Sequence, residues 1–233
     1  MSESILEHRA AGDPSRRAHP DDPYSDNPYV GAYPHLAGRR GVWREIVRWV
    51  RRDAPDVETL VELGCGYGDF IDQFPAKRRI AFDLNPEMRA FLSPEVELRV
   101  EDALALGRLP AGSVDLVFAS NFLEHLTGDR IDELLEIVQR VLRPGGRLML
   151  IQPNHRRCAE HYFDDPTHVT IFDDQNIGAW LERAGLCVVR LVPGLLPFTM
   201  NSRAPKWPLL VALYLRLPIR PLAAQMYVVA EKR

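Results

Sequence analysis

The sequence predicts an α/β protein, a doubly wound and mostly parallel sheet with helices on both faces. Three observations carry this expectation. Short apolar runs of strand length alternate with segments whose apolar residues recur at helical spacing. The first such run breaks into Gly64-Cys65-Gly66-Tyr67-Gly68, a turn off the end of a strand. Polar residues (Asp83, Asp102, Asn121) close three of the later runs, as expected where parallel strands deliver side chains to one rim.

Taken in order, residues 1–38 are rich in Asp, Pro, Ser and Arg and read as a flexible arm, or as a lid that folds over a site. Over 39–52, Val42, Trp43, Ile46, Val47 and Val50 recur at helical spacing, and Ala54-Pro55 ends the helix. Strand one is expected at 59–63. A helix with Phe70, Ile71 and Phe74 on one side follows, stopped by Pro75. Strand two is expected at 79–83, and Asn85-Pro86 opens another helix with Pro in its first turn. Strand three is expected at 96–100 and strand four at 114–120.

Ile131, Leu134, Leu135, Val138, Val141 and Leu142 then form one apolar stripe. Asp129 is its expected N-cap and Pro144-Gly145-Gly146 its stop. Strand five is expected at 147–152, followed by a polar, aromatic loop over 153–172. A helix opening near Asp173-Asp174 carries Ile177, Trp180, Leu181 and Ala184, with Gly185 at its C-terminal end. Strand six is expected at 186–192, an insertion at 194–224, and a last strand at 225–230.

The glycine turn carries the most chemical information. Glycine lacks Cβ, so the backbone there can take φ > 0 and lie against a ligand. A dinucleotide fingerprint, G-x-G-x-x-G, would need glycine at 69, where the chain has Asp69. Glu62 stands before the turn, and Asp69 and Asp72 follow it. That much negative charge suits an amine or a sulfonium better than a phosphate.

The run from Leu60 to Asp69 resembles the first motif of the class I S-adenosylmethionine-dependent methyltransferases, and the resemblance extends over roughly 57–192 and the last strand. It implies a Rossmann-like fold of seven strands, the last one reversed, with S-adenosylmethionine as cofactor. It places Glu62, Gly64, Gly66, Tyr67 and Gly68 around the methionine portion. Asp83 would bind the ribose hydroxyls, for which a carboxylate accepting two hydrogen bonds is suited. Leu84 would pack on adenine, Asp102 and Ala103 would meet its edge, and Asn121 and Phe122 would border the methionine end. The alternative for Asp102 is a turn or N-cap residue. The sequence Asn121-Phe122-Leu123-Glu124-His125 resembles the small-molecule, sugar-type branch, and an Asn/Asp-Pro-Pro-aromatic motif for adenine amines is not seen there.

A hydroxyl acceptor needs a base near neutral pH, and histidine is the natural group. His168, with Asp165 to orient it, is the expected base, and His125 beside the cofactor is the second candidate. A loop-ordering pair and a structural Glu-His are the plain alternatives. His155, His161, Asp164, Asp165 and His168 could gather a magnesium-like cation, but their spacing matches no zinc signature, and no metal is expected.

The chain has 233 residues, 46% of them hydrophobic and 26% charged, with a net charge of -3. No global field recruits nucleic acid. Three irregularly spaced cysteines imply no disulfide framework, and the polar N-terminus lacks a signal-peptide core, so a cytoplasmic setting is expected. Within 205–220, Pro205-Lys206-Trp207-Pro208 leads into the apolar run Leu209 to Leu217, which is too short to span a bilayer. It could pack over the acceptor pocket, form a homodimer contact or lie on a membrane surface. The expected function is methyl transfer from S-adenosylmethionine, at oxygen, to a small-molecule, sugar or lipid-linked glycan acceptor. The alternatives are a cofactor-binding regulatory subunit and a nucleotide-dependent oxidoreductase.

Overall fold

A computed structural model describes residues 38–197 and 207–233. The expected arm or lid at 1–38 therefore lies, but for Gly38, outside the described residues, as does the Pro205-Lys206 part of the insertion.

Seven strands form one sheet: β1 (Thr59–Leu63), β2 (Arg78–Asp83), β3 (Val96–Val100), β4 (Val114–Ser120), β5 (Leu142–Pro153), β6 (Leu186–Pro197) and β7 (Ala223–Lys232). Their order is β3-β2-β1-β4-β5-β7-β6. β7 pairs antiparallel with both β5 and β6, and the other pairings are parallel. The expected doubly wound sheet with a reversed last strand is thus what forms. The chain winds outward in opposite directions from β1 and β4, which creates the crevice where such sheets bind ligands.

The strands bury both faces. Val61, Leu63, Val117, Leu148 and Leu150 pack toward the apolar stripe of α2 (Gly128–Val141) and toward Ile177 and Leu181 of α4 (Ile177–Arg183). The alternate residues Leu60, Leu116, Phe118, Met149 and Tyr227 pack toward Val42, Ile46 and Val50 of α1 (Arg39–Val50). Period-two alternation with both sets apolar is the signature of a sheet covered on each side. A short helix α3 (His155–Cys158) follows β5, and α5 (Pro208–Arg216) lies beside α1.

Several boundaries differ from expectation. No regular helix forms between Gly68 and Pro75. The amides of Asp72 and Phe74 reach back four residues, but that of Gln73, between them, reaches back only three, and that of Ile71, just before them, donates to Glu62 Oε2. The interrupted ladder leaves a series of turns. The Asn85-Pro86 helix is a 3-10 segment, Pro86–Ala90, capped by the Asn85 side chain at the Glu87 amide. Thr127 is the N-cap of α2, while Asp129 sits in the first turn, where its charge still opposes the helix dipole. β5 begins at Leu142 because that residue pairs with Val114, but regular pairing resumes only at Arg147, after Pro144-Gly145-Gly146 has bulged out. β6 continues to Pro197, so the insertion begins later than expected. Gly194 permits this, since a Cβ there would come within 3.0 Å of Ala223 Cβ and of Arg157.

Candidate active site

The glycine turn sits at the carboxyl end of β1, on the crevice. Gly64, Gly66 and Gly68 have φ of 64°, 48° and 70°, the left-handed region that side chains disfavour. The three glycines differ in what surrounds them. A Cβ on Gly64 would stand 2.6 Å from the Phe122 ring, and one on Gly68 would run into Leu92. A Cβ on Gly66 would meet nothing within 4 Å. The middle glycine therefore leaves bare backbone facing open space, while its neighbours are packed from outside.

Three acids surround this turn. Glu62 is buried beneath it and accepts from the Ile71 amide at 3.0 Å. Burial pushes its carboxyl well above the usual range against the pull of that hydrogen bond, and Asp69 and Asp83 push it further. Asp83 Oδ2 accepts from the Gly66 amide at 2.8 Å, and its Oδ1 from Asn85 at 2.9 Å. Burial raises this carboxyl as well, against both amide bonds. The Cys65 thiol also donates to Oδ2, at 3.8 Å. Asp69 pairs with Arg39 at the start of α1, and Arg39 also lies 5.7 Å from the centre of the Tyr67 ring. Cys65 is buried, and burial pushes its thiol up.

Asp102 both caps and pairs. Its Oδ1 accepts from the Leu104 amide at 2.8 Å and its Oδ2 from Arg130 at 2.5 Å, with Ala103 opening the short 3-10 segment Ala103–Arg108 beside it. The N-cap alternative for Asp102 is therefore present in the structure. Asn121 takes a φ of 48°, rare for a residue with a side chain. It is held there by its amide donating to Ile151 at 2.9 Å and by Gln225, which donates to its Oδ1 at 2.7 Å. This bend turns Phe122 onto Gly64.

The loop after β5 is clamped onto the segment after β4. The Glu124 carbonyl accepts from the amides of Val169 (2.9 Å) and Thr170 (3.1 Å), and Thr170 Oγ1 donates to Leu126 at 2.6 Å. His168 is thereby brought against His125, with ring centres 4.9 Å apart. The expected orienting role of Asp165 takes a different form. His168 Nδ1 lies 2.5 Å from the Tyr162 carbonyl, which fixes that ring. Asp165 Oδ1 instead accepts from Thr167 Oγ1 at 2.5 Å, and Thr167 Oγ1 lies 2.9 Å from His125 Nδ1. Asp165 thus reaches His125 through a hydroxyl. Burial, then the nearby His168, lower the pKa of His125, against the opposing pull of Asp165 and the Thr167 and Asn121 carbonyls.

Between the two imidazoles stands Glu124, fully buried, with burial raising its carboxyl to about 8. Its Oε1 lies 4.0 Å from Nε2 of both His125 and His168. Sequence reasoning treated Glu124 only as a neighbour of His125 and overlooked Gln152, which donates to Glu124 Oε2 at 2.9 Å. The acid beside His125 was the available signal for the first; Gln152, inside an apolar strand, offered little. Of His155, His161, Asp164, Asp165 and His168, only His168 joins the group whose ligand atoms lie within 4.8 Å of one another; the others in that group are Glu124 and His125. His161 and Asp164 form an exposed pair of their own at 3.0 Å.

Known proteins place this arrangement. The family model described as a methyltransferase domain matches residues 61–150, from β1 into β5. A transposon-encoded protein of Streptomyces fradiae is 32% identical over 170 residues, 65% of this chain and 48% of that one. A malonyl-[acyl-carrier protein] O-methyltransferase of Methylococcus capsulatus is 30% identical over 169 residues, 66% of this chain and 60% of that one. The chain thus spans between about half and three-fifths of these relatives' length. Among solved structures, a SAM-dependent methyltransferase from Archaeoglobus fulgidus shares the fold with a TM-score of 0.60 and 22% identity, over 81% of this chain and 94% of that one. The N-methyltransferase NodS from Bradyrhizobium japonicum does so with a TM-score of 0.57 and 16% identity, over 84% and 96%. With this strand order and an acid-flanked glycine turn at the crevice, residues 61–150 match a methyltransferase domain and the chain shares the fold of S-adenosylmethionine-dependent methyltransferases.

Proposed function

We propose that this protein transfers the methyl group of S-adenosylmethionine to oxygen on a small-molecule acceptor of the sugar or lipid-linked glycan type. The observation that carries the cofactor reading is Gly66, whose bare left-handed backbone faces open space while its amide is held by Asp83. On this reading Asp83 grips the ribose hydroxyls. Leu84, Asp102 and Ala103 border adenine, and Glu62, Gly64, Gly66, Tyr67, Gly68, Asn121 and Phe122 surround the methionine end. The negative charge of Glu62 and Asp83 favours a cationic sulfonium and ammonium.

Positioning supplies most of the rate in such a transfer, by holding the acceptor oxygen in line with the carbon–sulfur bond. His168, with His125 beside it and Asp165 behind Thr167, takes up the proton of the acceptor hydroxyl. The three cysteines are free, which supports a reducing, cytoplasmic setting.

An amphiphilic acceptor or a peripheral membrane contact is supported by α5. Leu215 is buried and its carbonyl accepts from Trp49 Nε1 at 3.1 Å, while Trp207, Leu209 and Leu213 are exposed. Arg48, Arg52, Arg216 and Arg220 line the adjoining depression. No described helix is long and apolar enough to cross a membrane.

Two measurements test the assignment. Calorimetric titration with S-adenosylhomocysteine should show binding that Asp83→Ala weakens tenfold or more, since hydrogen bonds to a charged group contribute about 1.5–3 kcal/mol. Transfer from labelled cofactor to a panel of sugars, sugar nucleotides and glycolipids should be lost in His168→Ala with cofactor affinity retained. Equal affinity in Asp83→Ala refutes the ribose role, and undiminished turnover in His168→Ala removes it as the base.

A further inference from the structure

We propose that the depression between α1, β6 and α5 binds a phosphoryl group, carried as a phosphate monoester or a pyrophosphate. It measures about 590 Å³ and is lined by Arg48, Arg52, Arg190, Arg216 and Arg220 around Trp49. Carboxylates answer two of these five guanidinium groups. Glu45 pairs with Arg48 at 2.6 Å, and Asp53 pairs with Arg190 at 2.6 Å. Arg52, Arg216 and Arg220 have no carboxylate partner among the described residues.

Three of the cations crowd one indole. Their central carbons lie 4.2 Å (Arg52), 4.6 Å (Arg190) and 5.5 Å (Arg220) from the centre of the Trp49 ring. The ring attracts each cation, but the cations repel one another. Burial lowers the pKa of Arg220, and Arg52 and Arg190 lower it further, against the pull of Tyr214. Arg220 Nε is buried without a hydrogen-bond partner, an uncommon state for a donor. An anion set among these groups relieves the repulsion and supplies acceptors. The framework is held in advance: the Leu215 carbonyl accepts from Trp49 Nε1 at 3.1 Å and from Arg220 at 2.8 Å. All the cations are arginine, whose planar fork matches paired phosphoryl oxygens. One carboxylate satisfies one fork, whereas a phosphoryl dianion has the oxygens and the charge for several.

The site stands away from the glycine turn. Arg39 opens α1 and pairs with Asp69, whereas Trp49 comes ten residues later, about 15 Å along the helix. Its occupant therefore meets the protein separately from a ligand at that turn, and the assignment does not depend on the methyl-transfer reading. Two carriers offer this chemistry: a soluble phosphate ester, or a lipid headgroup whose chains meet the exposed Leu209 and Leu213 of α5.

The test titrates the full chain with pyrophosphate by calorimetry at low salt. One pyrophosphate per chain should bind, and acetate should bind about tenfold or more weakly. Arg52→Gln and Arg216→Gln, both at exposed positions, should fold as the wild type does by circular dichroism and each weaken pyrophosphate about tenfold or more. Arg183→Gln, on α4 at the other face of the sheet, should bind as the wild type does. Absence of stoichiometric pyrophosphate binding, equal binding of acetate, or binding unchanged in both variants overturns the site. So does a parallel loss of S-adenosylhomocysteine affinity in those variants, which would put the anion in the crevice. Phosphatidic acid vesicles and glycerol 3-phosphate then identify the carrier. Vesicle binding lost in Arg52→Gln, with glycerol 3-phosphate bound no better than acetate, supports a headgroup. Saturable glycerol 3-phosphate binding lost in the same variant supports a soluble ester.

Discussion

Gln152 Nε2 donates to Glu124 Oε2 at 2.9 Å, while Gln152 Oε1 accepts from the Phe122 amide at 3.3 Å. One buried amide at the end of β5 therefore joins the residue packed on the glycine turn to the carboxylate between the two imidazoles. On the proposed reading, these are the cofactor side and the acceptor side of the crevice.

Gln152→Leu keeps the side-chain volume and removes both bonds. It leaves the Phe122 amide and Glu124 Oε2 without this partner in a buried setting, a loss of about 1–3 kcal/mol. Thermal unfolding should show the lower stability. Turnover should fall by more than cofactor affinity does, because the acceptor side loses its anchored carboxylate. Equal stability and turnover in the variant would show that the bridge is incidental.

The three glycines should respond differently to alanine. All three sit at positive φ, which costs about 1–2 kcal/mol for a residue with Cβ. At Gly64 and Gly68 the new methyl also collides with Phe122 or Leu92, so those variants should lose further stability. At Gly66 the methyl enters open space, so Gly66→Ala should fold with only the backbone penalty. Its S-adenosylhomocysteine affinity should nevertheless drop at least tenfold, because the methyl stands where ligand would lie. Melting temperatures and calorimetry on the three variants separate a packing role from a ligand role.

Glu62 gives a pH signature. Burial raises its folded pKa above the unfolded value near 4.3. The folded state then holds the proton to higher pH than the unfolded state does. Its stabilising effect is full below the unfolded pKa and is lost as pH rises through the folded one. Glu62→Gln retains an acceptor for the Ile71 amide and has no charge to bury. The cofactor-free variant should be more stable than wild type at pH 7, by about 1–3 kcal/mol, with a flatter stability profile between pH 4 and 8. It should also bind S-adenosylhomocysteine less well, since the ammonium end loses a counter-charge. Urea melts across that range check the sign: a wild type that gains stability with pH relative to the variant contradicts it.

The strands and the glycine turn were legible in the sequence because they follow local rules. Period-two apolar runs identify strands, and an acid followed by alternate glycines identifies the turn. What local rules missed depends on contacts distant in the chain. Ile71 looked helical until Glu62, nine positions earlier, claimed its amide. The Asp165–His168 pairing looked natural at three residues' separation. The fold gave His168 a carbonyl from Tyr162 and sent Asp165 through Thr167 to His125, 42 positions from that threonine. Glu124 beside His125 was visible, but its placement between two imidazoles required β4 and the loop after β5 to meet.

The exposed side of α5 makes the last prediction. Leu209 is 70% exposed and Leu213 49%, one turn apart on a helix whose buried side meets α1 through Leu215. Arg48, Arg52, Arg216 and Arg220 stand together beside it, three of them on α1 or α5 or within two residues of those helices. Apolar side chains flanked by guanidinium groups match the boundary between acyl chains and anionic headgroups. The protein should therefore sediment with vesicles containing phosphatidylglycerol and stay behind with neutral phosphatidylcholine, and 0.5 M salt should weaken the association. Leu209→Asp with Leu213→Asp should reduce vesicle binding severalfold while leaving S-adenosylhomocysteine affinity unchanged, because neither residue lies at the glycine turn. If the double variant instead converts a dimer to a monomer by light scattering, with vesicle binding never seen, the face is a contact between two copies of the chain and the membrane reading fails.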